Sequence, residues 1–200
     1  MLCSGYRRPL VAVAAMLLAL ASTSGAQAAK AQKAKPKPVA AFRLSAPDFI
    51  SKGRIDVSHV FNGMGCTGQN ISPALTWANP PAGTKSFAVT MYDPDAPTGS
   101  GWWHWVMYNI PANTLSLPAG AGNGRNAPRG STQGPTDFGS KGYGGPCPPV
   151  GDKPHHYHIT VFALKVDKLD IPGNATSAYV GFNLNANKLA TARVTGLFAR

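Results

Sequence analysis

The sequence predicts a mostly β domain, and three observations support that fold class. The chain has 200 residues, which is about the size of one domain. It contains 22 Gly and 18 Pro against only 14% charged residues, a composition that favours short strands joined by loops over long helices. Three runs are rich in aromatic and β-branched residues, as strands are. All acidic residues are Asp, which excludes sites that depend on a glutamate base or a bidentate glutamate ligand.

Residues 1–28 are predicted to be a secretory signal peptide. Arg7 and Arg8 precede an apolar run from Leu10 to Ala21, and small residues follow, with cleavage expected after Ala28. The apolar run is shorter than the roughly 20 residues that a membrane-spanning helix needs. We therefore expect the protein to be exported, to the periplasm or out of a bacterial cell.

Residues 29–40 are predicted to form a basic, flexible linker. Their lysines stand among Ala, Gln and Pro, so the segment has no apolar surface to bury. A solvated tether is one interpretation, and weak contact with an anionic membrane surface is the other, at roughly 1 kcal/mol per lysine. The remaining basic residues are scattered and form no nucleic-acid recognition motif, so no specific nucleic-acid partner is expected.

Residues 41–200 are predicted to form the folded domain. Apolar and polar residues alternate at 41–46, which indicates a first strand. Three further strands are expected at Ser86–Tyr92, Trp102–Ile110 and His156–Leu164. A long Gly/Pro-rich loop region is expected at Leu117–Pro149, and a C-terminal helix at Ala186–Phe198. The helix is predicted because apolar residues recur there at roughly helical spacing.

The alternation of side chains along a strand predicts which residues share a face. If the second strand is regular, Trp102 and His104 share one face, and Trp103 and Trp105 share the other. In the last strand His155 and Tyr157 lie together, opposite His156 and His158. In the strand expected at Ser86–Tyr92, Phe87, Val89 and Met91 share one side, and Asp93 follows them on that side. Polar residues at three strand ends therefore become candidates for one site.

Each candidate also has a purely structural interpretation. The turn Asp93–Pro97 holds two carboxylates, and Asp in turns commonly accepts backbone N–H bonds. His104 stands in an aromatic run, where a core histidine with one hydrogen bond is the default. The Pro- and Gly-rich segment 144–158 is less usual, because prolines stiffen a wall and glycines can leave backbone N–H groups open to a ligand.

Four motifs in order resemble the phosphatidylethanolamine-binding protein family, in its bacterial Raf kinase inhibitor-like branch. They are Asn70–Pro73 (NISP), Asp93–Pro97 (DPDAP), Gly99–Trp105 (GSGWWHW) and Gly145–Tyr157 (GPCPPVGDKPHHY). The resemblance covers roughly residues 42–200. It implies a β-sandwich with a small pocket for phosphate-type anions or phospholipid headgroups. The family's pocket residues match Asp93, His104, His155 and Tyr157, with Trp102, Asp95 and Pro149 beside them.

The chemistry of these residue types suits a negatively charged ligand. The imidazole N–H groups of His104 and His155 and the Tyr157 hydroxyl can donate to phosphate oxygens, while Asp93 accepts from a histidine or from a ligand ammonium. A histidine pKa near the ordinary value of about 6.5 would strengthen anion capture as the pH falls.

Two cysteines, Cys66 and Cys147, follow the predicted leader and are candidates for a disulfide bond, because an exported protein meets an oxidising compartment. The sequence alone does not show whether the two are close in space.

Three functions compete at this point. The first is a binding protein with no catalytic residues and no cofactor, since no nucleophile motif such as G-x-S-x-G is present. The second is a metal-dependent hydrolase or oxygenase that uses Asp93, His104 and His155, since one Asp and two His also make a metal site. The third is a protein-interaction module of the protease-inhibitor kind, built on the loop region.

Overall fold

The computed structural model describes residue 1, residues 40–51 and residues 53–200. The predicted signal peptide and linker lie outside these residues, except for positions 1 and 40. The described part contains twelve strands and one α-helix: β1 (Arg43–Ser45), β2 (Ile50–Ser51), β3 (Arg54–Ile55), β4 (Asn62–Gly63), β5 (Cys66–Thr67), β6 (Leu75–Ala78), β7 (Ser86–Asp93), β8 (Trp102–Pro111), β9 (Ser116–Leu117), β10 (Thr132–Gln133), β11 (His155–Leu164), α1 (Ser177–Asn187) and β12 (Lys188–Phe198).

Two antiparallel sheets form a sandwich. The larger sheet has five strands in the order β10-β8-β7-β11-β12, and the smaller has three in the order β1-β6-β9. Two short hairpins, β2-β3 and β4-β5, stand beside them. The mostly β class, the sandwich, one helix near the C-terminus and the long loops are confirmed.

The large sheet is covered on both faces, which explains why its central strands are apolar almost throughout. On one face Phe87, Val89 and Met91 of β7 belong to the main core, where the Trp77 and Phe87 rings lie 5.3 Å apart. On the other face Val180 and Leu184 of α1 belong to a second apolar cluster. The Thr176 hydroxyl caps α1 by accepting from the Tyr179 N–H.

The helix expected at Ala186–Phe198 is wrong in position. The helix is α1, which ends at Asn187, and residues 188–198 form β12. Within β12 the exposed Thr191, Arg193 and Thr195 alternate with buried or half-buried neighbours, a period of two that the apolar residues alone had obscured. Pairing of β12 along the whole of β11 satisfies its backbone, so tertiary context selected the strand.

The prediction that Trp103 and Trp105 share a face is also wrong, because β8 is not regular. Met91 pairs with Trp105 and Tyr92 pairs with Trp103, so His104 is the extra residue of a β-bulge. Trp105 lies in the main core, whereas Trp103 packs against the second cluster on the opposite face. The bulge therefore turns His104 toward the strand end.

No helix in the described part of the chain is long and apolar enough to cross a membrane.

Candidate functional site

A cavity of about 350 Å³ opens at the edge of the large sheet where β7 ends and where β8 and β11 begin. These three strands are neighbours and antiparallel, so the end of one meets the start of the next; Asp93 pairs with Trp102. Six of the seven predicted binding residues line the cavity: Asp93, Trp102, His104, Pro149, His155 and Tyr157.

Asp93 is buried at the base of the site and accepts two hydrogen bonds. Its Oδ1 accepts from the Asp95 backbone N–H at 2.8 Å, which closes the turn after β7. Its Oδ2 accepts from the His155 Nδ1–H at 2.8 Å. Because the carboxylate is only 2% exposed, these two bonds hold it in place.

His155 lies between two carboxylates. Its Nδ1 faces Asp93, and its Nε2 lies 3.3 Å from Asp152 Oδ2. Both ring nitrogens therefore have protein partners, and direct donation from His155 to a ligand stays a prediction. Sequence reasoning missed Asp152, whose place three residues before His155 was the available signal.

His104 uses one ring edge to hold the loop before β11. Its Nδ1 lies 2.8 Å from the Gly144 carbonyl and 3.1 Å from the Gly145 carbonyl. Burial lowers the pKa of His104 to about 4, against opposing contributions from these carbonyls and from Asp93. The expectation that this histidine titrates near 6.5 is wrong, because burial keeps the ring neutral.

Gly144 and Gly145 of the loop before β11 allow close packing, and their backbone N–H groups are already hydrogen-bonded. A Cβ on Gly144 would collide with the Phe138 ring, and a Cβ on Gly145 would collide with the His59 carbonyl. The Gly144 N–H donates to the His104 carbonyl, and the Gly145 N–H donates to Asn70 Oδ1. The expectation that glycines here leave amides for a ligand is therefore wrong at these two positions.

Two buried donors in the cavity have no partner among the described residues, the Tyr157 hydroxyl and Trp102 Nε1–H. Tyr157 is fully buried, with its ring edge-on to His104 at 5.1 Å and stacked on His155 at 6.4 Å. Burial raises the pKa of Tyr157 well above its usual range, and the Asp93 carboxylate adds to this through its charge and through an interaction of its side chain with the hydroxyl that is too long or poorly aligned for a full hydrogen bond. The hydroxyl therefore keeps its proton.

Two further lining residues escaped sequence reasoning. Arg200 brings a positive charge to the cavity, and its Nε–H donates to the Pro148 carbonyl at 2.6 Å. Phe138 comes from the long loop and packs edge-on against Trp102 and His104. Neither lies in a recognisable motif, because each reaches the site only through the tertiary fold.

Asp95 does not line the cavity, in contrast to its predicted place among the binding residues. Its Oδ2 accepts from the His156 backbone N–H at 2.7 Å and from the His156 ring at 2.8 Å. The backbone N–H lowers the pKa of this carboxyl. His156 points away from His155, as strand alternation predicted. Because Asp95 is hydrogen-bonded to His156, its carboxylate also lies outside the cavity.

Cys66 and Cys147 are joined in a disulfide bond, with their Cα atoms 6.0 Å apart. Cys147 lines the cavity, so the bond ties this wall to β5.

The alternative of a metal site at Asp93, His104 and His155 finds no matching geometry. The described residues contain no group of three or more His, Cys, Asp or Glu side chains placed to hold a metal ion. Both nitrogens of His155 and one of His104 already have protein partners, which leaves a single free nitrogen between them.

Comparison with known proteins gives one consistent result. Residues 45–199 match the family described as phosphatidylethanolamine-binding protein. The chain is similar to the UPF0098 protein YbcL of Escherichia coli (strain K12), with 54% identity over 161 residues, 80% of this chain and 88% of that protein. It is also similar to the UPF0098 protein YbhB of the same strain, with 51% identity over 158 residues, 78% of this chain and 99% of that protein.

A solved structure agrees with the sequence matches. The crystal structure of E. coli YbcL, described as a new member of the mammalian PEBP family, resembles this fold with a TM-score of 0.77 at 53% identity. The match covers 80% of this chain and 99% of that one.

Proposed function

The chain belongs to the phosphatidylethanolamine-binding protein family, and we propose that it is an exported protein that binds a phosphate-type anion or a phospholipid headgroup without altering it.

The observation that carries this proposal is the pair of unpartnered donors in the cavity, Trp102 Nε1–H and Tyr157 O–H. A buried donor without an acceptor costs about 1 to 3 kcal/mol, and a ligand oxygen would remove this cost. Trp77 Nε1–H, away from the cavity, is the third such donor among the described residues, so it is the pairing of two in one cavity that supports a ligand. Both donors lie in the same cavity as the Arg200 guanidinium, which attracts an anion. The guanidinium itself already donates to the Pro148 and Met64 carbonyls, so a ligand would satisfy the two unpartnered donors beside this positive charge.

The size of the cavity supports a small ligand. A volume of about 350 Å³ lies at the small end of ligand pockets and suits a headgroup better than a whole lipid.

The thiol and hydroxyl side chains that line the cavity are poor nucleophiles. Cys147 is in a disulfide, and the Thr98 hydroxyl donates to the Gly101 carbonyl at 2.5 Å. The raised pKa of Tyr157 disfavours a phenolate. These features support binding rather than covalent chemistry.

Two observations support export, the predicted leader at residues 1–28 and the Cys66–Cys147 bond, because disulfides persist in oxidising compartments. Cell fractionation with thiol titration of the unfolded, unreduced protein tests this. We expect envelope or secreted material without free thiols after leader removal; cytoplasmic protein with two reactive thiols would refute export.

Calorimetric titration of the protein with inorganic phosphate and with glycerophosphoethanolamine tests binding. We expect saturable binding of at least one probe, weakened about tenfold in Trp102→Phe, which loses one donor but keeps an aromatic ring. His158→Gln is the matched control, since His158 lies on the opposite face of β11 and contacts Thr195 Oγ1. If neither probe binds at concentrations up to millimolar, the proposal is rejected.

A further inference from the structure

The cavity presents free acceptors as well as free donors. Besides Trp102 Nε1–H and Tyr157 O–H, it holds the second ring nitrogen of His104, which makes no hydrogen bond among the described residues. The character of that nitrogen decides which ligands the site can accept.

The tautomer of His104 follows from its partners. The Gly144 and Gly145 carbonyls can only accept, and both approach Nδ1, so Nδ1 carries the ring proton. Since burial lowers the pKa of His104 to about 4, no second proton is present near neutral pH. Nε2 is therefore a lone pair, and His104 can accept from a ligand but cannot donate to it.

Asp93 adds a second acceptor to the same wall. Its two oxygens receive N–H bonds from Asp95 and His155, and no proton on the carboxylate is needed to make either bond. A fully deprotonated oxyanion at this wall would face a carboxylate and an imidazole lone pair, which repel it. An anion that carries a hydrogen can donate it to either.

We propose that the cavity selects oxyanions that carry a hydrogen-bond donor, and that His104 Nε2 is the acceptor that recognises this donor. This inference rests on the proposed anion-binding function and narrows its ligand class. The donor can be the P–OH of hydrogen phosphate or the ammonium of an ethanolamine headgroup. Sulfate, which has neither, is rejected although it has the shape and size of phosphate.

The test compares phosphate and sulfate by calorimetry at about pH 8, above the second pKa of phosphate. Phosphate and sulfate are then both tetrahedral dianions, and one P–OH hydrogen is the difference. We expect phosphate to bind at least about tenfold more tightly. Phosphoethanolamine and phosphocholine form a second pair: at this pH neither has a P–OH, and only the first has N–H donors. The pair that binds identifies the source of the ligand.

Three variants assign the selectivity to His104. His104→Leu removes the acceptor, and we expect the phosphate-to-sulfate ratio to fall toward one. Trp102→Phe weakens the binding of both anions by similar factors and keeps the ratio, because the Trp102 N–H that it removes can donate to any oxyanion. His158→Gln changes neither affinity. If His104→Leu does not fold, the wild-type comparison still tests the selectivity of the cavity, and His104→Phe, which also lacks the acceptor, tests the role of His104.

The outcomes separate this inference from the proposed function. Equal binding of the two members of each pair overturns the selectivity while anion binding stands. A ratio unchanged in folded His104→Leu overturns the role of His104. If none of the four probes binds, the proposed function fails and the inference fails with it.

Discussion

Two regions of the molecule differ in whether their polar side chains have hydrogen-bond partners. One is the cavity, and the other is the neighbouring Asn70 cluster, which we define as Asn70, Ser72 and Asn123. In the cluster the polar side chains are hydrogen-bonded to protein: the Asn70 side chain accepts from Gly145 N–H and donates to the Tyr143 carbonyl. Asn123 accepts from Ser72 N–H, and the Ser72 hydroxyl accepts from Gly122 N–H. In the cavity, Trp102 and Tyr157 donors are left without partners.

The difference separates scaffold from site. Both regions contain polar side chains, but those of the cluster bond to the backbone of segments that are distant in the chain. Its carboxamides are satisfied internally and have little left to offer a ligand. The cavity retains unmet capacity, so substitutions in the two regions should alter different measurable properties.

The largest expected effect lies in the cluster. Asn70→Ala removes two hydrogen bonds to the backbone of the 143–145 segment and places Ala at φ 53°. We expect the free energy of unfolding to fall by about 3 to 5 kcal/mol in urea titration. Asn126→Ala is the matched control: Asn126 has φ 51°, is exposed and makes no side-chain hydrogen bond among the described residues, so it isolates the backbone term. Equal losses in both variants would contradict a bonding role for Asn70.

His104 should give the next largest effect, through pH. Its pKa is about 4 in the folded protein, and an unfolded histidine titrates near 6.5. As the pH falls from about 6.5 to 4, the unfolded state gains a proton that the folded state does not, so stability falls by about 3 kcal/mol and the His104 contribution then levels off. Unfolding free energies across this range measure it. His104→Gln, which does not titrate, should flatten the slope, and an unchanged slope would contradict the assignment.

The smallest expected effect on stability is that of Tyr157→Phe in the cavity. The variant removes a buried hydroxyl that has no partner, so the free energy of unfolding should change by less than about 1 kcal/mol. Phosphate affinity should nevertheless fall about tenfold, measured by calorimetry. A loss of more than about 2 kcal/mol in stability would show that the hydroxyl is part of the scaffold, and the contrast between the two regions would fail.

Much of the fold and of the site could be predicted from local pattern. Aromatic and β-branched residues located three of the four long strands, and period-two alternation placed Asp93, His155 and Tyr157 on the faces where the structure has them. The prediction failed where local signals were ambiguous: the small and apolar residues of 188–198 fit a helix until β11 supplied a partner strand. It also failed at the bulge, since one extra residue reverses the faces that follow.

The sequence by itself determined which residues are polar at the strand ends, the pair of cysteines, and the kinship that the ordered motifs reveal. Only the tertiary structure decided which partner each polar atom bonds. In the structure His155 contacts two carboxylates, and Asp95 bonds to His156. The ring proton of His104 lies on Nδ1, and Arg200 lines the cavity. The physical reason is that hydrogen-bond partners and burial depend on chain segments that are distant in sequence. Residue type sets what a group can do, and its neighbours in space decide what it has left to offer a ligand.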